Sequence, residues 1–457
     1  MTKMSQIADS KSSLPQSWLN LPIGHVSHVV SGGTPPSKDK SCFTTPGEGI
    51  PWLTPADLSN NKAQHISHGS RDLTDKGFSL CSAQILPTGS VLFSSRAPIG
   101  YVAIARNPLS TNQGFKSFVL PKEIDSRFIY YQLRHLKAVA ETLATGTTFK
   151  ELSGSNAAKI PITLAPTNEQ RRIADKLDRV LARVDAANEH LSRVAPLIKR
   201  FRKSVLAAAV SGQLTDARAL PSQDWKTAKL GDLGTLARGK SKHRPRNDPS
   251  LYGGRYPFIQ TGDIANSNGL ITHHSKTYND KGLAQSELWP KGTLCITIAA
   301  NIADTAILDY DACFPDSIVG FLADESTCIA KFVKHSIDVI KEDIERLAPA
   351  TAQKNINLAI LSEIPIRIPS VEEQSEIVRR VEKLFAFADR LEERLSQAQA
   401  AVQKLTPALL AKAFRGELVP QDPNDEPASE LLKRLQESRT ESTKPGRARK
   451  PRTRKSP

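Results

Sequence analysis

Two stretches of the chain carry apolar residues at alternating steps of four and three. The first runs Ile173, Leu177, Val180, Val184, Ala187, Leu191, Val194, Ile198, Phe201, Val205. The second runs Ile377, Val381, Leu384, Ala388, Leu391, Leu395, Ala398, Val402, Leu405, Leu409. This is the a/d seam of a heptad repeat, which a helix packed only on its own domain rarely sustains, because such a helix shows a wider stripe of period 3.6. Each stretch is predicted to be a long helix ending where Gly212 or Gly416 supplies a C-terminal cap. Pro196 and Pro407 sit inside the seams and are expected to kink or split the helices. Ahead of the first helix, Ser90–Arg96, Tyr101–Arg106 and Gly114–Leu120 read as strands. Asp125–Leu143 reads as a helix capped by Asp125 or Ser126, with Phe128, Tyr131, Leu133 and Leu136 on its apolar side.

The pattern occurs twice. Ile160-Pro161-Ile162 returns as Ile364-Pro365-Ile366, Glu169-Gln170 as Glu373-Gln374, and Ser211-Gly212-Gln213-Leu214 as Arg415-Gly416-Glu417-Leu418, each 204 residues on. All ten seam positions keep that offset. Upstream, Ser17-Trp18 matches Asp224-Trp225, Ile50–Leu58 matches Tyr256–Ile264, and Pro87–Leu92 matches Pro290–Cys295, with the offset drifting between 203 and 207. Each repeat is a variable α+β module followed by a length-locked helix. The boundaries read as a module over 1–165, a helical spacer over 166–216, a second module over 217–368, a second spacer over 369–419, and a basic tail without fixed structure over 420–457. Two matching helices in one chain most simply pair with each other, antiparallel, with the two modules at opposite ends. About 36 residues of helix would span about 54 Å.

Length and charge refine this. A chain of 457 residues has room for two to four domains. Lys and Arg exceed Asp and Glu by 15, and residues 442–457 hold seven of those cations and no acid, leaving +8 on the rest. A basic body favours a polyanion, nucleic acid first. The N-terminal residues lack the apolar core of a signal peptide, and no stretch matches a membrane helix; the most apolar run, Thr293–Leu308, reads as buried strands. Five cysteines without CxxC spacing argue against a disulfide framework or zinc finger and for the reducing cytoplasm.

Candidate chemistry is sparse. Gly234–Ser241 fits the phosphate-loop pattern GxxxxGK[ST], which must join a strand to a helix N-terminus. The prolines at 245 and 249 oppose such a helix, and the repeat places Gly32-Gly33-Thr34, without lysine, at the matching position. A nucleotide-dependent enzyme is therefore the weaker reading, beside a two-domain DNA-binding regulator. His65/His68 and His273-His274 have no metal partners at ligand spacing. The signatures HExxH, GxSxG, GxGxxG and the amino-methyltransferase Asp/Asn-Pro-Pro-Tyr/Phe do not occur. No catalytic residue and no metal ligand is assigned.

Taken together, Val30-Ser31-Gly32-Gly33-Thr34-Pro35-Pro36, Gly146-Thr147-Thr148-Phe149-Lys150-Glu151-Leu152, the Ile-Pro-Ile to Glu-Gln segment and Phe414–Asp425 make the chain resemble the specificity subunit of type I restriction-modification enzymes over residues 15 to 435. The second copy departs at Ala352-Gln353-Lys354-Asn355 and at Arg238-Gly239-Lys240-Ser241, which lacks Thr-Pro. The resemblance implies two target recognition domains, each reading half of a bipartite double-stranded DNA target, spaced by an antiparallel coiled coil. It implies a non-catalytic subunit that docks two adenine methyltransferase subunits and motor-nuclease restriction subunits. S-adenosylmethionine, ATP and Mg would be used by those partners, with no cofactor in this chain.

For DNA contact the sequence offers exposed-looking cations in each module. In the first these are Lys38, Lys40, Arg96, Lys116 and Lys150. In the second they are Arg238, Lys240, Lys242, Arg244, Arg246 and Lys354, five of them alternating through the most basic loop of the folded body.

Overall fold

The computed structural model describes residues 14–59, 61, 63–96, 98–146, 150–215, 225–299, 301–347 and 356–442. The chain divides into two compact units, one of residues 1–189 with 399–457, the other of residues 190–398. The chain crosses between units inside each long helix, so each unit holds one module and half of each helix.

In the first unit a five-stranded sheet runs in the order His28–Ser31, Lys116–Val119, Val91–Phe93, Val102–Ala105, His65–Ile66. Its last two strands are parallel and the others antiparallel. Val91–Phe93 is buried at every residue, as expected of a strand covered on both faces. Helix Ser126–His135 packs here, with Phe128, Ile129 and Leu133 fully buried. Asp125 caps it by accepting from the Arg127 N–H at 2.8 Å. The predicted helix is two helices, because it breaks at Leu136 before Lys137–Leu143. A smaller four-stranded sheet orders Phe43–Thr44, Arg71–Leu73, Ile50–Leu53 and Ser110–Thr111.

The second unit repeats this order. Its five strands are Gly234–Arg238, Ile318–Ala323, Leu294–Thr297, Thr305–Leu308 and Leu270–Ile271. Phe118 pairs with Val91 and Val29, and Phe321 pairs with Leu294 and Leu236 in the same register. Thr293–Leu308 does supply two fully buried strands. The counterpart of the small sheet is the pair Tyr252–Phe258 and Lys276–Tyr278.

The long helices are Thr167–Val210 and Val371–Phe414, each 44 residues and in register at 204. Both run through their prolines without a break; Pro196 and Pro407 are exposed. Gly212 and Gly416 take φ of 80° and 76°, the left-handed cap that glycine adopts without a Cβ clash. In the first unit Ile173, Leu177 and Leu181 share a core with Leu410, Ala413 and Phe414. In the second, Val205 and Ala209 share a core with Ile377 and Val381, and Ile198 lies with Ala388, Leu395 and Leu391. The start of one helix meets the end of the other in both units, so the pairing is antiparallel.

The heptad holds only in part. Leu191, Val194, Ile198, Ala388, Leu391 and Leu395 pack as seam residues, and Val184 is buried. Val180, Leu384 and Val402 are half-buried. Toward the helix starts the stripe widens to take in Leu181 and Val378, because there each helix also packs on its own module. Leu405 is 45% exposed, and Leu410, Ala413 and Phe414 are buried instead. A further correction concerns residues 420–457. Ala428–Ser442 is a helix whose Leu431 and Leu435 are buried in the first module's core. Arg172 holds Asp425 at 2.6 Å, and Arg439 donates to the Gly24 and His25 carbonyls. Only the tail beyond 442 lies outside the described residues.

Candidate nucleic-acid interface

The Glu-Gln pair at each helix start is structural. The Gln170 side-chain oxygen accepts the Asp125 N–H at 3.0 Å and its amide donates to the Ala165 carbonyl at 2.8 Å. Gln374 accepts the Ile329 N–H at 2.9 Å and donates to the Pro369 carbonyl at 3.0 Å. Every partner is displaced by the same 204 residues. Each fully buried glutamine thus ties a long helix to the N-terminal turn of its module's helix, which accounts for the locked spacing. Glu169 accepts the Trp18 indole N–H at 2.8 Å, and burial pushes its carboxyl above the ordinary range. Glu373 accepts from the Thr215 hydroxyl at 3.0 Å.

The cations selected from sequence divide by what already holds them. Arg96 pairs with Glu151 at 3.0 Å, and Lys240 pairs with Glu287 at 2.8 Å. Arg246 grips both oxygens of Asp316 at 2.7 and 2.8 Å, while the Arg238 Nε donates to the Asp316 carbonyl at 3.0 Å. Arg244 donates to the Ser241 and His243 carbonyls at 2.7 and 2.9 Å. Lys38, Lys40, Lys150 and Lys242 are exposed. Lys116 is not on the surface. It is 7% exposed, with Nζ turned toward the Gln113 carbonyl at 3.5 Å, and burial lowers its pKa. Its place in strand Lys116–Val119 takes it inward, so it leaves the set of surface cations. Lys354 lies outside the described residues.

The phosphate-loop match fails on geometry. Gly234–Arg238 is a strand whose Cα register runs against Ala323–Val319, and Gly239 donates its N–H to the Ile318 carbonyl at 2.9 Å. Backbone N–H groups committed to a ladder cannot wrap a phosphate. The next helical turn is the three-residue Pro249–Leu251. The histidines also have ordinary partners: His68 faces Asp72 at 3.4 Å, and His274 faces the Tyr310 hydroxyl at 3.0 Å. Among the described residues no cluster of His, Cys, Asp or Glu could hold a metal. All five cysteines are free, and burial pushes the Cys313 and Cys328 thiols up to about 11.

The small sheets contain a feature that the sequence reading missed. In the first module Asp39 caps a turn by accepting the Ser41 N–H at 3.0 Å, and Phe43 follows. In the second, Asp248 accepts the Ser250 N–H at 2.9 Å, and Tyr252 follows. Phe43 is opposite Leu73, and Tyr252 is opposite Tyr278. Trp52 is opposite Arg71, and Phe258 is opposite Lys276. The result is one arrangement built twice. The Arg71 guanidinium lies 4.0 Å from the Phe43 ring centre and 5.2 Å from that of Trp52. The Lys276 ammonium lies 5.2 Å from that of Tyr252. The offset here reaches 209 for Phe43 and Tyr252 but is 205 for Arg71 and Lys276, wider than the drift read from sequence. Loops of unequal length hid the correspondence, although its traces are written in both copies as Asp-x-Ser-x-aromatic, the Ile50–Leu58 match and Asp-Lys-Gly at 75–77 and 280–282.

Comparison with known proteins adds to this geometry. The family model described as type I restriction modification DNA specificity domain matches residues 15–194 and 222–398. The MjaIX specificity subunit of Methanocaldococcus jannaschii is 32% identical over 291 residues, covering 59% of this chain and 66% of its own length. The EcoBI specificity subunit of Escherichia coli is 27% identical over 444 residues, covering 90% of this chain and 88% of its own. Among solved structures, the HsdS subunit from Thermoanaerobacter tengcongensis superposes with a TM-score of 0.61 at 19% identity, covering 89% of this chain and 98% of that one. No described helix is long and apolar enough to cross a membrane.

Proposed function

This chain belongs to the type I restriction-modification DNA specificity family, and from that premise we propose that it reads a bipartite DNA target, one half with each module. The observation that carries the reading is the duplication itself. Two units repeat one element order, one register and one cation-over-ring arrangement, and the family model matches each copy separately. A protein with two versions of one reading head suits a target with two differing half-sites. The basic balance of the chain fits a polyanionic partner.

In this reading the chain does no covalent chemistry. It directs adenine methylation by two methyltransferase subunits and cleavage by motor-nuclease subunits. S-adenosylmethionine, ATP and Mg serve those partners; the strand Gly234–Arg238 commits its backbone to a ladder and is unsuited to hold a nucleotide. The paired long helices set the spacing between half-sites.

Affinity purification of the full chain from its native cells, with mapping of methylated adenines in their DNA, tests the reading. A co-purifying methyltransferase subunit is expected, with methylation at a split motif that disappears when this chain is deleted. Methylation that persists unchanged after deletion would contradict it.

A further inference from the structure

We propose that Arg71 and Lys276 are specificity-determining residues, each placed over an aromatic ring to donate to base edges in its own half-site. The proposal deepens the DNA-reading function above and rests on it. Three observations support it. The first is repetition: the two residues sit at matching sheet positions, opposite Trp52 and Phe258, although the loops around them differ in length. A cation and ring retained together through that drift point to a common task of the two modules.

The second is availability. Arg96, Lys240 and Arg246 are engaged by Glu151, Glu287 and Asp316. Arg71 and Lys276 are exposed and make no ion pair with any described carboxylate. Their charge is held by rings instead. A ring face stabilises a cation without occupying its N–H donors. Covering one face of the Arg71 guanidinium also limits its rotamers while leaving its edge open. That edge carries the paired N–H groups that match the two acceptors of a guanine in the major groove.

The third is the company these residues keep. Beside Lys276 lies a concavity lined also by Tyr252, Phe258, Gln260, Thr261 and Ser241. Those groups are uncharged, and several can hydrogen-bond, as base-edge recognition requires. A phosphate site would concentrate free cations, whereas the Arg246 that reaches this concavity is already neutralised by Asp316. One ring hydroxyl is also committed: Tyr252 donates to the Arg246 carbonyl at 2.6 Å, which fixes the ring under Lys276.

The test uses the full chain assembled with its methyltransferase subunits and duplex DNA bearing the mapped motif. Arg71→Ala is expected to lower methylation of the correct first half-site by about 10- to 100-fold. One base-pair position there should relax while the other half-site keeps its sequence. Lys276→Ala should do the converse. Arg71→Lys keeps the charge but loses the planar fork, so it should change the preference at that position without abolishing binding. Lys229→Ala, paired with Glu363 at 2.7 Å and outside the concavity beside Lys276, should change neither motif. Equal melting temperatures and a normal half-site for the unsubstituted module in each variant establish that the chain is folded. If Arg71→Ala and Lys276→Ala leave both motifs intact, the proposal is overturned. It is equally overturned if they weaken specific and random duplex alike and reduce the salt slope by about one, the mark of a phosphate contact. A wild-type complex that methylates no split motif would instead overturn the reading on which this rests.

Discussion

His335 is a base buried where it cannot readily take a proton. It is 7% exposed, its ring lies edge-on to Phe385 at 6.2 Å, and its Nδ1 has no hydrogen-bond partner. Burial, with Lys334 and Lys331 nearby, lowers its pKa to about 4 against the opposing pull of Asp338 and Glu382. The unfolded chain titrates near pH 6.5, so between about pH 6.5 and 4 the unfolded state binds more protons than the folded one. The stability this neutral imidazole contributes is complete above pH 6.5 and falls as pH drops toward 4. At pH 5 the loss should be about 2 kcal/mol. Urea unfolding of the wild type and a His335→Phe variant at pH 7 and pH 5 should show the variant losing less stability on acidification by about that amount. Equal losses would mean that His335 is not buried as a neutral base. Residues of this kind are illegible in sequence, since a histidine inside Lys331–Asp338 reads as part of a charged surface. Lys116 shows the same limit from the other side. A lysine in the strand-like run Gly114–Leu120 reads as a surface contact, but strand pairing turns it inward. The Glu-Gln pairs were visible as repeats, but their hydrogen bonds reach residues 45 positions away.

The elements were more legible, because period is a local property. The helix starts, the 204-residue register and the glycine caps follow from spacing and backbone chemistry. Spacing does not tell which neighbour covers a given turn. Ile377 is completely buried, whereas Leu405, at the same heptad position four repeats on, is 45% exposed. Ile377→Ala should therefore cost about 2–5 kcal/mol through lost burial and a residual cavity. Leu405→Ala should cost well under half of that, because most of its transfer is never made. Denaturant titration of the two variants measures the difference, and equal costs would restore the uniform seam. Prolines are also ambiguous in sequence. Pro196 and Pro407 break the rule for helix interiors, yet both helices continue through them on exposed faces. The helix Ala428–Ser442 was lost in a basic C-terminal composition, although Ala428, Leu431 and Leu435 already mark one face at steps of three and four.

For the molecule as a whole, the proposed function requires two reading modules joined by a helical ruler. Lengthening the ruler is one way to test it. One heptad inserted after Leu191 and one after Leu395 keeps both seams in phase. The added length is about 10 Å, against about 3.4 Å per base pair, so the unspecified spacer of the target should grow by up to about three base pairs. Some affinity should be lost, because three base pairs rotate the second half-site by roughly 100°. Methylation mapping that shows an active variant with an unchanged spacer would separate the helices from spacing. Whether each module reads its own half of the target is tested most directly by exchanging a module. Residues 17–160 are replaced by the equivalent module of a relative with a different target, and methylated adenines are mapped across the genome of cells making the chimera. The expected motif has one half replaced by the donor's half and the other half unchanged. A motif altered in both halves, from a chimera that still methylates, would contradict reading of one half by each module.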